Sequence, residues 1–131
     1  MFLHFHVDEH SRVRLSDQSD EGYINANWVP LLHGSLIITQ GPLEHTQEHF
    51  EQMIVENRLQ CMAMLCNIIE GGKVRCFDYT ANRKANILSG EDKPITISLV
   101  KLEEGDYTHV HYSEWPDRSV PEDVAQVEVL L

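Results

Sequence analysis

Positive charge is scarce in this chain: 10 lysines and arginines stand against 21 aspartates and glutamates, a formal charge of −11. That balance excludes the basic footprint needed by a nucleic-acid or anionic-membrane binder. Long apolar runs are also lacking, and none approaches the ~20 residues of a membrane span. The opening Met1-Phe2-Leu3-His4-Phe5-His6-Val7-Asp8 has neither the basic start nor the apolar stretch of a secretory signal. Cysteine is sparse. Cys61, Cys66 and Cys76 are odd in number, and no pair has the two-residue gap of a zinc knuckle. They are expected to be reduced core residues, which points to the cytoplasm.

What is present is ordinary for a folded domain. Apolar residues make up 42% and charged residues 24% of the 131 residues, too apolar for a disordered tail. No linker or repeat divides the chain, so residues 1–131 are read as one unit. Ser16 to Gly22 reads as an exposed turn. Leu36-Ile37-Ile38-Thr39 fits a buried strand, ended by Gly41-Pro42. Gly41 is expected to hold a backbone angle that other residues resist. Thr46 suits a helix N-cap with Glu48 in the first turn, and Phe50, Met53 and Ile54 follow on one face. The run from Cys61 to Cys66 suggests a central strand covered on both sides. Gly71-Gly72 reads as a turn, and residues 95–101 and 107–112 as a hairpin about Glu103–Asp106. Ser119-Val120-Pro121-Glu122 has capping-box spacing and predicts a helix in which Val124, Val127 and Leu131 share a face.

The order of short motifs resembles the protein-tyrosine phosphatase catalytic domain. His10-Ser11-Arg12-Val13 is similar to its early Ser-Arg-Val signature, and Tyr23-Ile24-Asn25-Ala26-Asn27-Trp28 to the segment that follows. Thr39-Gln40-Gly41-Pro42-Leu43 with Thr46 and Phe50 resembles the next block. Glu70, Lys73, Arg75, Cys76 and Tyr79 resemble its Glu…Lys-Cys-x-x-Tyr block. Trp115-Pro116-Asp117 with Val120-Pro121 resembles the mobile acid loop. Trp-Pro-Asp alone carries little weight, whereas five blocks in the family's order carry much. Most of these positions read as structural, Asn25 and Asn27 bonding irregular backbone.

The resemblance implies an α/β fold, a twisted mixed sheet flanked by helices, and hydrolysis of phosphotyrosine proteins or peptides through a cysteinyl-phosphate intermediate. It implies no cofactor and no metal. That chemistry needs three parts. A low-pKa thiolate attacks phosphorus. A cradle of amide N–H groups and an arginine fork hold the phosphoryl oxygens. A carboxylic acid protonates the leaving phenol oxygen, whose conjugate acid has a pKa of ~10. By resemblance Asp117 is the general acid, supported by Trp115 and Pro116. Phe2 falls near the family's substrate-stacking tyrosine and is the candidate for substrate binding.

The first two parts are not found. The family places a histidine before its nucleophilic cysteine and an arginine six positions after it. Gln60, Leu65 and Arg75 precede the three cysteines here, and Asn67, Gly72 and Asn82 lie at the later offset. The nucleophile loop is therefore expected C-terminal to Leu131, the chain alone is expected to be inactive, and the exposed edges left behind count against independent folding. The alternative is a pseudophosphatase that acts as a binding module. Glu51, Val55 and Thr80 stand where the family often has tryptophan, and Arg118-Ser119 replaces its usual His-Gly. His4, His6 and His10, and likewise His109 and His111, are read as surface side chains rather than metal ligands.

Overall fold

The structure is a computed structural model that describes residues 10–16, 23–81, 83–87 (84–87 by backbone alone) and 94–116. The predicted turn over 17–22 and the helix predicted from Ser119 lie outside the described residues. The chain divides at Arg58 into two compact units.

In the N-terminal unit β1 (Ala26–Leu31) and β2 (Gly34–Thr39) form an antiparallel hairpin, with Ala26 opposite Thr39 and Leu31 opposite Gly34. The segment before it adds an isolated bridge from Arg12 to Asn27. Val13 N–H donates to the Ala26 carbonyl at 2.9 Å and Trp28 N–H to that of Ser11 at 2.8 Å. Gly34 takes φ 128° directly after the two-residue turn, a region that side chains resist. Gly41, where such an angle was expected, is not among the glycines of positive φ. The expected buried strand over 36–39 also needs correction: Leu36 and Ile38 are exposed. β-branching favours the extended backbone there, but it does not supply a second layer to cover it.

Helix α1 (Gln47–Glu56) carries Phe50, Met53 and Ile54 on its buried face, as their spacing requires. Thr46 occupies the N-cap position without a side-chain cap bond to the helix. Its Oγ1 instead accepts from Leu43 N–H at 2.9 Å, closing the single 3-10 turn at Glu44–Thr46. At the far end Asn57 N–H and Nδ2 both donate to the Met53 carbonyl, and Arg58 follows with φ 49°. The Glu56 carboxylate accepts from Ser16 N–H, Ser16 Oγ and Gln52 Nε2, tying the helix to the N-terminal segment.

The C-terminal unit is built on a four-stranded mixed sheet of order β3-β8-β7-β6, and a separate two-stranded ribbon. Strand β3 (Cys61–Met64) pairs in parallel with β8 (Gly105–Tyr112). Strands β7 (Ile95–Leu102) and β8 form the expected hairpin, which turns at Glu103-Glu104. Strand β6 (Lys84–Ile87) closes the other side. The ribbon is β4 (Ile69–Glu70) and β5 (Lys73–Val74). Its two-residue loop, Gly71-Gly72, has φ 58° and 76°, the paired positive angles of a tight hairpin turn.

The expected central strand over 61–66 is corrected. β3 is shorter and lies at the edge of the sheet formed by the described strands, with Cys61, Ala63 and Leu65 exposed and Met64 buried. An apolar run reads the same whether or not a neighbour covers it. Like β7, β8 is an interior strand. Its Tyr107, His109 and Tyr112 are buried, and Val100 of β7, directly opposite Tyr107, is fully enclosed. Burying such a valine contributes about 1.5–3 kcal/mol of transfer free energy.

Candidate active-site loop

The loop that carries Trp115 and Pro116 leaves the end of β8, where several bonds fasten it. Tyr112 is buried, and its ring meets that of Trp115 edge-to-face, with centroids 6.3 Å apart and planes at 85°. Ser113 N–H donates to the Pro94 carbonyl at 2.9 Å, and Ser113 Oγ to the same oxygen at 3.3 Å. The Ser113 carbonyl accepts from Asn67 Nδ2 at 2.8 Å. His111 Nε2 lies 2.9 Å from the Cys66 carbonyl. A carbonyl only accepts, so the proton sits on Nε2. The segment after β3 is thus pinned to the end of β8 twice, by residues 45 and 46 positions away in sequence. Asn67 is itself held, its N–H donating to Glu70 Oε1 at 3.0 Å.

This arrangement stiffens the take-off of the loop. Trp115 is half-buried against Tyr112, so the chain emerges in a defined direction at Pro116. Asp117, the expected general acid, lies outside the described residues, as does Phe2. The structure brings Trp115 and Pro116 together with Asn67, Ser113 and His111, which sequence reading had not joined to the loop. No spacing signals such a pairing, because the partners meet only through the parallel β3–β8 alignment.

Behind β8 a buried polar pair fills the sheet face. Tyr79 Oη and His109 Nε2 lie 2.8 Å apart, with their rings edge-to-face at 5.6 Å. His109 also neighbours the rings of Tyr107 and His111, each at 6.4 Å. Burial, then the neighbouring Tyr107, pushes the Tyr79 hydroxyl well above its usual range, so it stays protonated. The expected surface placement of His109 is therefore wrong. It is buried because β8 is flanked by β3 and β7, a neighbourhood that local sequence does not disclose. Among the described residues no group of three potential ligands is placed to hold a metal, and no helix is long and apolar enough to cross a membrane.

The three thiols are all free, but they differ in setting. Cys61 is exposed, Cys66 half-buried and Cys76 buried, so only Cys76 is the core residue expected of all three. Cys66 and Cys76 lie close enough for their side chains to interact. The Cys76 thiol also has the Phe77 carbonyl within 3.2 Å. The interaction with Cys76 lowers the Cys66 thiol to about 7, and the same interaction together with burial pushes Cys76 far upward.

Residues 2–131 match the family model described as protein-tyrosine phosphatase. The human non-receptor type 2 tyrosine-protein phosphatase is 34% identical over 89% of this chain and 33% of that protein. The human receptor-type tyrosine-protein phosphatase eta is 32% identical over 86% of this chain and 10% of that protein. Among solved structures, the catalytic domain of human protein tyrosine phosphatase non-receptor type 18 superposes with a TM-score of 0.78 at 29% identity. The match covers 93% of this chain and 51% of that one. The same phosphatase bound to a HER2 phosphopeptide matches at the same TM-score. The chain thus spans about half of these catalytic-domain structures and a third or less of the two relatives named.

Proposed function

Because the chain belongs to the protein-tyrosine phosphatase family, we propose that it is the acid-loop portion of a domain that hydrolyses phosphotyrosine proteins or peptides on the cytoplasmic side. In this reading Asp117 is the general acid. It protonates the phenol oxygen as the phosphorus–oxygen bond breaks, which spares the expulsion of a bare phenolate. Trp115 and Pro116 position it. The observation that carries the reading is the fastening of the loop base through Tyr112–Trp115 and Asn67–Ser113, which fixes where the loop leaves β8 and suits a lid hinged there. The relation of non-receptor type 18 to phosphopeptides supports the substrate class.

None of the three thiols is assigned the nucleophile. Cys76 is buried and held protonated, and Cys66 interacts with it rather than with a ring of amide hydrogens. The 131 residues then supply the proton donor without the attacking sulfur, and the chain by itself does not turn over. A single-turnover assay with a phosphotyrosine peptide tests this. No phosphate release is expected, and vanadate-sensitive turnover by the purified chain overturns the reading. Tight phosphopeptide binding without turnover is the signature of the binding-module alternative.

A further inference from the structure

Two of the three thiols meet across the small β4–β5 hairpin. The Gly71-Gly72 turn folds β5 back on β4, and Arg75 N–H extends the pairing by donating to the Ile68 carbonyl at 2.7 Å. One step further this register sets Cys76 beside the Asn67 end of the preceding strand. The chain bends at Cys66 and again at Ile68, so Cys66 directly precedes the residue that the register sets opposite Cys76. The two side chains lie within interaction distance, both thiols are free, and of the two only Cys66 is accessible from outside.

We propose that Cys66 and Cys76 form a redox modification site, in which hydrogen peroxide oxidises Cys66 and Cys76 then closes an intrachain disulfide across the Gly71-Gly72 hairpin. In the first step the Cys66 sulfur attacks one peroxide oxygen and the O–O bond breaks. Cys66 becomes a sulfenic acid, and the other oxygen leaves as hydroxide and takes a proton to give water. In the second step the Cys76 sulfur attacks the sulfenic sulfur. The S–O bond breaks, the thiol proton leaves with the hydroxyl as water, and the S–S bond forms. Each sulfur loses one electron and the peroxide gains two.

The division of roles follows from the surroundings. Cys66 is half-exposed and its thiol is lowered to about 7 by the Cys76 interaction. Its thiolate fraction near neutral pH is therefore larger than that of an unperturbed thiol, which favours it as the first sulfur to react. Cys76 is buried and holds its proton, which suits the resolving partner rather than the first reactant. Bridging acts on a segment with further duties. The Cys66 carbonyl accepts from His111, and Asn67 holds Ser113 at the base of the loop. Oxidation therefore registers at the loop take-off.

The test is peroxide treatment of the full chain near pH 7, followed by alkylation with iodoacetamide, trypsin digestion and mass spectrometry. Cys61 and Cys66 share one tryptic peptide, so the Cys61→Ser variant is used to read the bridge. Its peptide 59–73 is expected to be joined to peptide 76–83, with a loss of two hydrogens and full reversal by dithiothreitol. Cys66→Ser with Cys61 intact is expected to lose the bridge. In urea the Cys66–Cys76 selectivity is expected to disappear. Alkylation of both thiols after peroxide overturns the proposal, as does a Cys61–Cys76 bridge of equal yield in Cys66→Ser, or the same pattern in native buffer and urea.

Discussion

Replacing Ser98 by alanine is expected to stabilise the C-terminal unit. Ser98 lies in β7 between Ile87 of β6 and His109 of β8, and it is 1% exposed. Its Oγ is buried without a hydrogen-bond partner among the described residues. A hydroxyl taken out of water with nothing to bond costs roughly 1–3 kcal/mol in proteins. Alanine removes that cost and sacrifices a few dispersion contacts, about 0.1–0.2 kcal/mol each. The net gain is about 1 kcal/mol. With a urea m-value of about 1–3 kcal/mol/M, the midpoint should rise by about 0.5 M at unchanged slope. In a thermal scan the rise is about 3–5 °C. Ser98→Thr is the companion variant: it keeps the hydroxyl and adds a methyl to a filled site, so its midpoint should fall. A midpoint for Ser98→Ala at or below that of the parent chain would refute the reasoning, because it would mean that the hydroxyl is satisfied.

Other consequences are equally direct. Arg58 holds φ 49° just after α1, so Arg58→Gly relieves left-handed strain and should gain about 0.5 kcal/mol after the added freedom of the unfolded chain; a loss on chemical denaturation counts against it. Met53→Ala empties a buried position of α1 and should cost about 2–5 kcal/mol by the same measurement. Hydrogen bonds from Ser16 and Gln52 hold the exposed Glu56 carboxylate below its usual range. Its contribution is therefore complete above the unfolded-state value near 4.3 and is lost as acid takes the pH down through the lower folded value. Glu56→Gln should therefore lower the melting temperature at neutral pH, where that contribution is in place, and converge with the parent chain in acid, which flattens the acid limb of a pH series. Ala63 is exposed on the edge strand β3, and Ala63→Lys should reduce concentration-dependent association in sedimentation velocity; equal association places the contact elsewhere.

The legible parts of the fold were those governed by neighbours in sequence. Helix α1 declared itself through Phe50, Met53 and Ile54, because a period of 3.6 residues is a property of the chain alone. The Gly71-Gly72 turn and the β7–β8 hairpin were readable for the same reason: paired positive φ angles need glycine, and a short turn leaves antiparallel strands one partner. Family membership was legible too, carried by the order of short blocks rather than by any one of them.

What misled was burial. Leu36 and Ile38 looked interior, Cys61 to Cys66 looked central, and His109 looked superficial, and all three readings were reversed. Each depended on which strand lies alongside, and residue type does not encode that. Composition and local pattern determined by themselves the helix, the turns, the acidic character and the Trp115-Pro116-Asp117 motif. Only tertiary structure decided that Asn67 and His111 secure the base of that loop and that Cys66 meets Cys76. Those contacts form when β3 aligns with β8 and a hairpin folds back, and chain-distant atoms become neighbours only through such pairing.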